Sequence, residues 1–168
     1  MNIPSKTLLS VFILIVAISC TNNDEQTDFE RSAYSPASGI TQTDNSSNII
    51  GDPDEDDWRT SPFYTGIMTI DPAFPNPVLY GTSTTLDVAI SGNSLTSILE
   101  LGYFDARDSR RPWIQLDLRE DISEFSLSSL TINTQLFGSN AELARGLHRI
   151  VLFDGNQRVV TYGDIQIE

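Results

Sequence analysis

Cys20 is the only cysteine and His148 the only histidine of this 168-residue chain, so nucleophilic, metal or acid–base chemistry has few side chains to draw on. A histidine acting as general base or metal ligand needs partners. With no second His and no Cys near it in the chain, His148 reads as a structural residue. Serines are plentiful, but no Gly-x-Ser-x-Gly elbow is present, and a triad would have to recruit the same His148. Glu100, Glu120, Glu124 and Glu142 could furnish the carboxylate pair of a glycoside hydrolase, yet a small strand-rich body leaves little room for the cleft. No catalytic residue and no cofactor is assigned, and a small hydrolase stands as the second alternative.

Other groups suit binding. Arg107, Arg110 and Arg111 put three guanidinium groups in one loop of an acidic chain, a set able to clamp a carboxylate or phosphate, or to pair with Asp105 and Asp108. Trp58, Tyr80 and Trp113 could form a sugar-stacking surface or pack over the end of a fold. Asp52, Asp54 and Asp56 place carboxylates at alternate positions, as calcium would require. The spacing lacks the Gly at the sixth and the Glu at the twelfth position of an EF-hand, and a solvated charge run is the commoner meaning.

The chemistry open to Cys20 is set by what precedes it. Lys6 and the amino terminus are positive, and Leu8 to Ile18 is an uncharged apolar run. At 11 residues it fits the ~7–15 of a secretory signal and falls short of the ~20 needed to span a bilayer. Ala17-Ile18-Ser19-Cys20 closes the run and resembles the lipobox of bacterial lipoprotein precursors, with Ala17 where the family usually has leucine. The resemblance implies that residues 1–19 are a signal peptide, that Cys20 becomes the first residue, and that its thiol carries fatty chains. Two or three such chains hold a protein on a bilayer stably where one does not. The acidic residues shortly after Cys20 resemble the surface-export signal of Bacteroidota-type lipoproteins. An outer-membrane location follows as an expectation, with the periplasmic or surface face undecided. The rest of the chain has no cysteine, so no disulfide supports it.

Residues 21–57 hold ten acids against Arg31 alone, a local net charge of −9 within the −13 of the whole chain. Rich in Asn, Asp, Ser, Thr and Gly, the segment is expected to be a disordered, self-repelling tether. Acidity of this kind argues against nucleic acid and against anionic lipid as partners of the folded part.

From Trp58 onward, period-two patterns dominate. Leu86, Val88 and Ile90, then Leu99, Leu101 and Tyr103, then Ile114, Leu116 and Leu118, and finally Ile165 and Ile167 alternate with other residues, each predicting a half-buried strand with one wet face. Segments 63–70 and 147–153 read as strands with less clean alternation. Phe125, Leu127, Leu130 and Ile132 change parity across Ser128-Ser129, which suggests a bulge. Asp154-Gly155-Asn156 predicts a hairpin, and 140–145 a helical turn. Leu143-Ala144-Arg145-Gly146-Leu147-His148 and the strand after it resemble the turn-then-strand of immunoglobulin-like and fibronectin-type modules, with His148 where they usually have tyrosine. Asp71 to Pro77 resembles the Pro-Asn-Pro entry of the immunoglobulin-like sorting modules of type IX secretion cargo, which supports the same fold.

The expected architecture is therefore all-β: an immunoglobulin-like antiparallel sandwich of about seven strands over residues 58–168. A lipidated N-terminus and disordered acidic linker over 20–57 and a helical signal peptide precede it. The expected role is non-catalytic binding or scaffolding in the cell envelope. The partners are the bilayer through acylated Cys20 and an envelope protein or glycan; a carbohydrate-binding module is the first alternative.

Overall fold

A computed structural model describes residues 24–92, 98–104 and 113–168, with the backbone alone over 113–120. Among these residues seven strands form: β1 (Met68–Ile70), β2 (Ser83–Ile90), β3 (Ile98–Phe104), β4 (Trp113–Asp121), β5 (Leu127–Asn133), β6 (Gly146–Asp154) and β7 (Val159–Ile167). Helical structure is scarce: α1 over 24–33, the single turn α2 (Ala141–Ala144), and two short 3-10 turns. The protein is thus all-β, built from two antiparallel sheets ordered β1-β2-β5 and β4-β3-β6-β7.

Alternation explains the inner faces. Leu86, Val88, Ile90, Leu130 and Ile132 from one sheet meet Leu99, Leu101, Ile150, Leu152, Val160, Ile165 and Ile167 from the other in one buried cluster. Burying each such side chain contributes about 1.5–3 kcal/mol. Without a disulfide, this core is the main source of stability.

Register defines two ends. Ile90, Leu99, Asp121, Leu127, Asp154 and Val159 lie at one, here called the hairpin end because the β6–β7 turn caps it. Ser83, Phe104, Asn133, Gly146 and Ile167 lie at the other. Asp154 builds the turn: Oδ1 accepts the N–H groups of Asn156 and Arg158 at 2.8 Å each, while Oδ2 accepts the Tyr64 hydroxyl at 2.6 Å.

Three expectations are corrected. Segment 63–70 is not one strand, because Pro62–Tyr64 forms a 3-10 turn and only Met68–Ile70 is extended. No parity change occurs inside β5: it alternates throughout, with Leu127 pointing outward and Leu130 and Ile132 inward, and Phe125 precedes the strand. The third correction is the largest. The described part of the expected tether, residues 24–57, is not extended and disordered but folded onto the outer face of β6 and β7.

That docking has identifiable causes. Phe29 and Ala33, one helical turn apart on α1, are buried against Val151, Val159 and Tyr162, forming a second apolar cluster. Phe29 and Tyr162 pack with their rings tilted at 53° and centroids 5.0 Å apart. Several acids serve as turn-builders instead of a repelling run. Asp44 accepts the N–H groups of Ser46 and Asn48, and these bonds with the Asn48 side chain hold its carboxyl below the usual range. Asp54 accepts the N–H of Asp56.

Segments 57–61 and 76–80 close the free edge of β7. Trp58 and Ser61 donate N–H groups to the Tyr162 and Val160 carbonyls, and Val78 and Tyr80 to those of Gln166 and Glu168. Asp57 and Asn76 receive the N–H groups of Asp164 and Gln166 on side-chain oxygens.

Candidate functional site

A buried polar clasp lies beneath segment 32–57. Arg149 on β6 and Asp164 on β7 are cross-strand neighbours and only 4% and 1% exposed. The guanidinium grips the carboxylate through two hydrogen bonds, Nε to Oδ1 and Nη2 to Oδ2, the latter 2.9 Å long. Burial alone would oppose the charge on Arg149, but Asp164 outweighs it and the pKa of Arg149 moves up.

This ion pair holds the N-terminal segment. Arg149 Nη1 donates to the Ser32 carbonyl at the end of α1 at 2.9 Å, and Asp164 Oδ2 accepts the N–H of Ser38 at 2.8 Å. Asp57 completes the clasp. Its Oδ2 accepts the N–H of Thr41 at 2.7 Å and its Oδ1 the N–H of Asp164 at 2.9 Å. Burial pushes the Asp57 carboxyl up to about 7, and the nearby Asp164 charge adds to that, against the lowering by the two backbone donors.

Asn76 is the second fastening. Fully buried, it donates from Nδ2 to the carbonyls of Thr41 and Asp164 at 3.2 and 2.9 Å and accepts from Gln166. Its backbone exchanges both hydrogen bonds with Thr43. The prolines on either side remove donors that this crowded position could not satisfy.

Trp58 is not a surface aromatic. It is 4% exposed and seated over Gly163, where a Cβ would lie 2.2 Å from the indole Cε2. Only glycine leaves room for the ring. Tyr80 lies at the opposite end, its hydroxyl donating to the Gly138 carbonyl, so Trp58 and Tyr80 do not form a common stacking face. Trp113 lies on β4, and its side chain is outside the described residues.

His148 is buried on β6. Its Nε2 meets the Ala144 carbonyl four residues back at 2.7 Å, and a carbonyl only accepts, so Nε2 carries the proton. Phe137 packs on the ring with centroids 4.8 Å apart, and Tyr103 meets its edge. The glutamates are dispersed: Glu100 and Glu124 lie at or near the hairpin end, Glu142 on α2 at the other. The side chain of Glu120 is outside the described residues, as are Arg107, Arg110, Arg111 and Cys20.

Asp52 is exposed, Asp54 accepts the backbone N–H of Asp56, and Asp56 pairs with Arg59 at 3.1 Å. Among the described residues no three His, Cys, Asp or Glu side chains converge as metal ligands would. A groove of about 680 Å³ runs between α1 and residues 59–65, lined by Glu25, Asp28, Phe29, Arg59 and Phe63 among others. Arg59 is committed there to the Tyr162 hydroxyl at 2.9 Å and to Asp56. Among the described residues no helix is long and apolar enough to cross a membrane.

Sequence reasoning passed over Arg149, Asp164, Asp57 and Asn76. A signal existed for the first pair: β6 and β7 carry the near-continuous apolar runs 150–153 and 159–160, which mark strands covered on both faces. No protein-family model matches the chain, and no curated protein matches it in sequence.

Proposed function

We propose that this chain is a lipid-anchored envelope protein whose two-sheet body is an immunoglobulin-like sandwich serving in binding or scaffolding, without catalysis. The fold half of the reading is supported by strand order. Immunoglobulin-type domains keep strands A, B and E in one sheet and C, F and G in the other. Here the first, second and fifth strands share a sheet, the third, sixth and seventh share the other, and the fourth pairs beside the third. The His148 bond to Ala144 supports it too, because it reproduces with imidazole the backward side-chain-to-backbone link of a tyrosine corner.

The anchor is carried by one observation, the placement of the chain's single cysteine two residues after the end of an 11-residue apolar run, with Ser19 between them. Metabolic labelling with palmitate tests it. The label and the membrane-bound pool are expected together, and both are lost in Cys20→Ala; an unlabelled wild-type protein overturns the reading. Loops and exposed strand edges are the surfaces through which such a body meets its partner.

A further inference from the structure

We propose that the hairpin end of the body is a membrane-contacting surface, resting on the lipid headgroups with Phe125 reaching into the bilayer interface. The inference rests on Cys20 being acylated and goes beyond it by fixing which part of the protein meets the lipid. Its first support is reach. Asp24 is the first described residue and already belongs to α1. The four residue steps from Cys20 to Asp24 span at most roughly 14 Å when fully extended.

The second support is the direction of α1. Near its start, Gln26 Oε1 accepts the N–H of Phe63 at 3.4 Å; at its end, the Ser32 carbonyl accepts from Arg149. Phe63 belongs to the 3-10 turn whose Tyr64 binds Asp154 at the hairpin end, whereas Arg149 lies opposite Asp164 farther along β7. The helix therefore starts at the hairpin end and runs beside β7 away from it. The clasp and the Phe29 cluster hold it there, so the chain arriving from Cys20 enters at that end.

Apolar exposure alone does not choose an end. Phe63, Phe125 and Leu127 are 40%, 74% and 66% exposed at the hairpin end, but Leu79, Leu136 and Leu143 are exposed at the other. Distance decides. The eight steps of β7 from Val159 to Ile167 cover roughly 26 Å, nearly twice the longest leash, so an anchored molecule cannot stand on its far end.

Phe125 is the residue for which water is the least fitting environment. It is the most exposed large apolar side chain described, and its φ of 52° is one that a bulky residue rarely adopts. Insertion of that ring into the headgroup–acyl boundary gives its exposure a use. Asp24, Glu25, Asp28, Asp121 and Glu124 lie in the segments near this end, so the contact is suited to zwitterionic lipid and to a shallow depth.

The test uses the acylated full chain in phosphatidylcholine vesicles. Acylation blocks the native thiol, so Glu124→Cys and Thr82→Cys each take a single nitroxide, one at either end. The label at 124 is expected to collide with a water-soluble nickel chelate several-fold less often than the label at 82, and Phe125→Ser is expected to reduce that protection without releasing the protein from the vesicles. Equal accessibility at both sites on protein whose mass shows the acyl chains overturns the orientation and leaves the anchor standing. A mass showing Cys20 bare overturns both.

Discussion

The carboxylate of Asp57 accepts the main-chain N–H of Asp164 at 2.9 Å, and the Asp164 side chain in turn accepts from the guanidinium of Arg149. An acid whose pKa is raised in the docked state holds its proton more tightly docked than free. The stability Asp57 contributes is therefore fully present below about pH 4 and is lost as pH rises toward about 7. The difference in melting temperature between wild type and Asp57→Asn should change between about pH 4 and about pH 7, with wild type losing ground as pH rises. Parallel pH profiles would contradict the assignment.

Arg149 and Asp164 should behave as a buried pair whose halves cannot be removed singly. Arg149→Met strands a carboxylate and Asp164→Leu strands a guanidinium, and each is expected to cost about 3–5 kcal/mol in denaturant unfolding. The double variant should be less damaged than the sum of the two, because neither charge is left alone.

Gly163→Ala is expected to unseat Trp58. The added methyl would overlap the indole, since its position is 2.2 Å from Cε2. Overpacking of this kind costs about 1–3 kcal/mol. A red-shifted tryptophan emission should accompany the loss as the ring moves toward water.

His148→Phe should lower stability by about 1–3 kcal/mol, the range for a buried carbonyl left without its donor. A phenyl ring can keep the aromatic contacts with Phe137 and Tyr103, so the loss reports the polar interactions of the imidazole, the bond to Ala144 among them.

A fragment beginning at Trp58 should be markedly less stable than one beginning at Asp24. Its β6–β7 face would expose Val151, Val159 and Tyr162 and strip Asp164 of the Ser38 N–H. Urea unfolding of the two fragments and binding of a hydrophobic dye distinguish them; matching midpoints would show that the docked segment contributes nothing.

What could be read in advance follows the physics of each residue. Leu86, Val88 and Ile90 announce a strand because one face is buried and one is wet, and alternation records that directly. Asp164 was expected on a wet face for the same reason and proved 1% exposed, because a distant segment covers it. Asp57 and Asn76 look like ordinary turn residues, since a short polar side chain carries no mark of whether its partner is water or a strand edge. Charge also misled: ten acids in 37 residues suggested repulsion, whereas Asp44, Asp54 and Asp57 each spend their oxygens on backbone donors.

The covered edge of β7 bears on how copies of this protein coexist at high concentration. From Val160 to Glu168 its outward main-chain groups meet residues 57–61 and 76–80, so a neighbouring molecule finds no template there for adding a strand. Sheet-to-sheet polymerisation is blocked along that border, and among the described strands the remaining sheet edges are β1, β4 and β5.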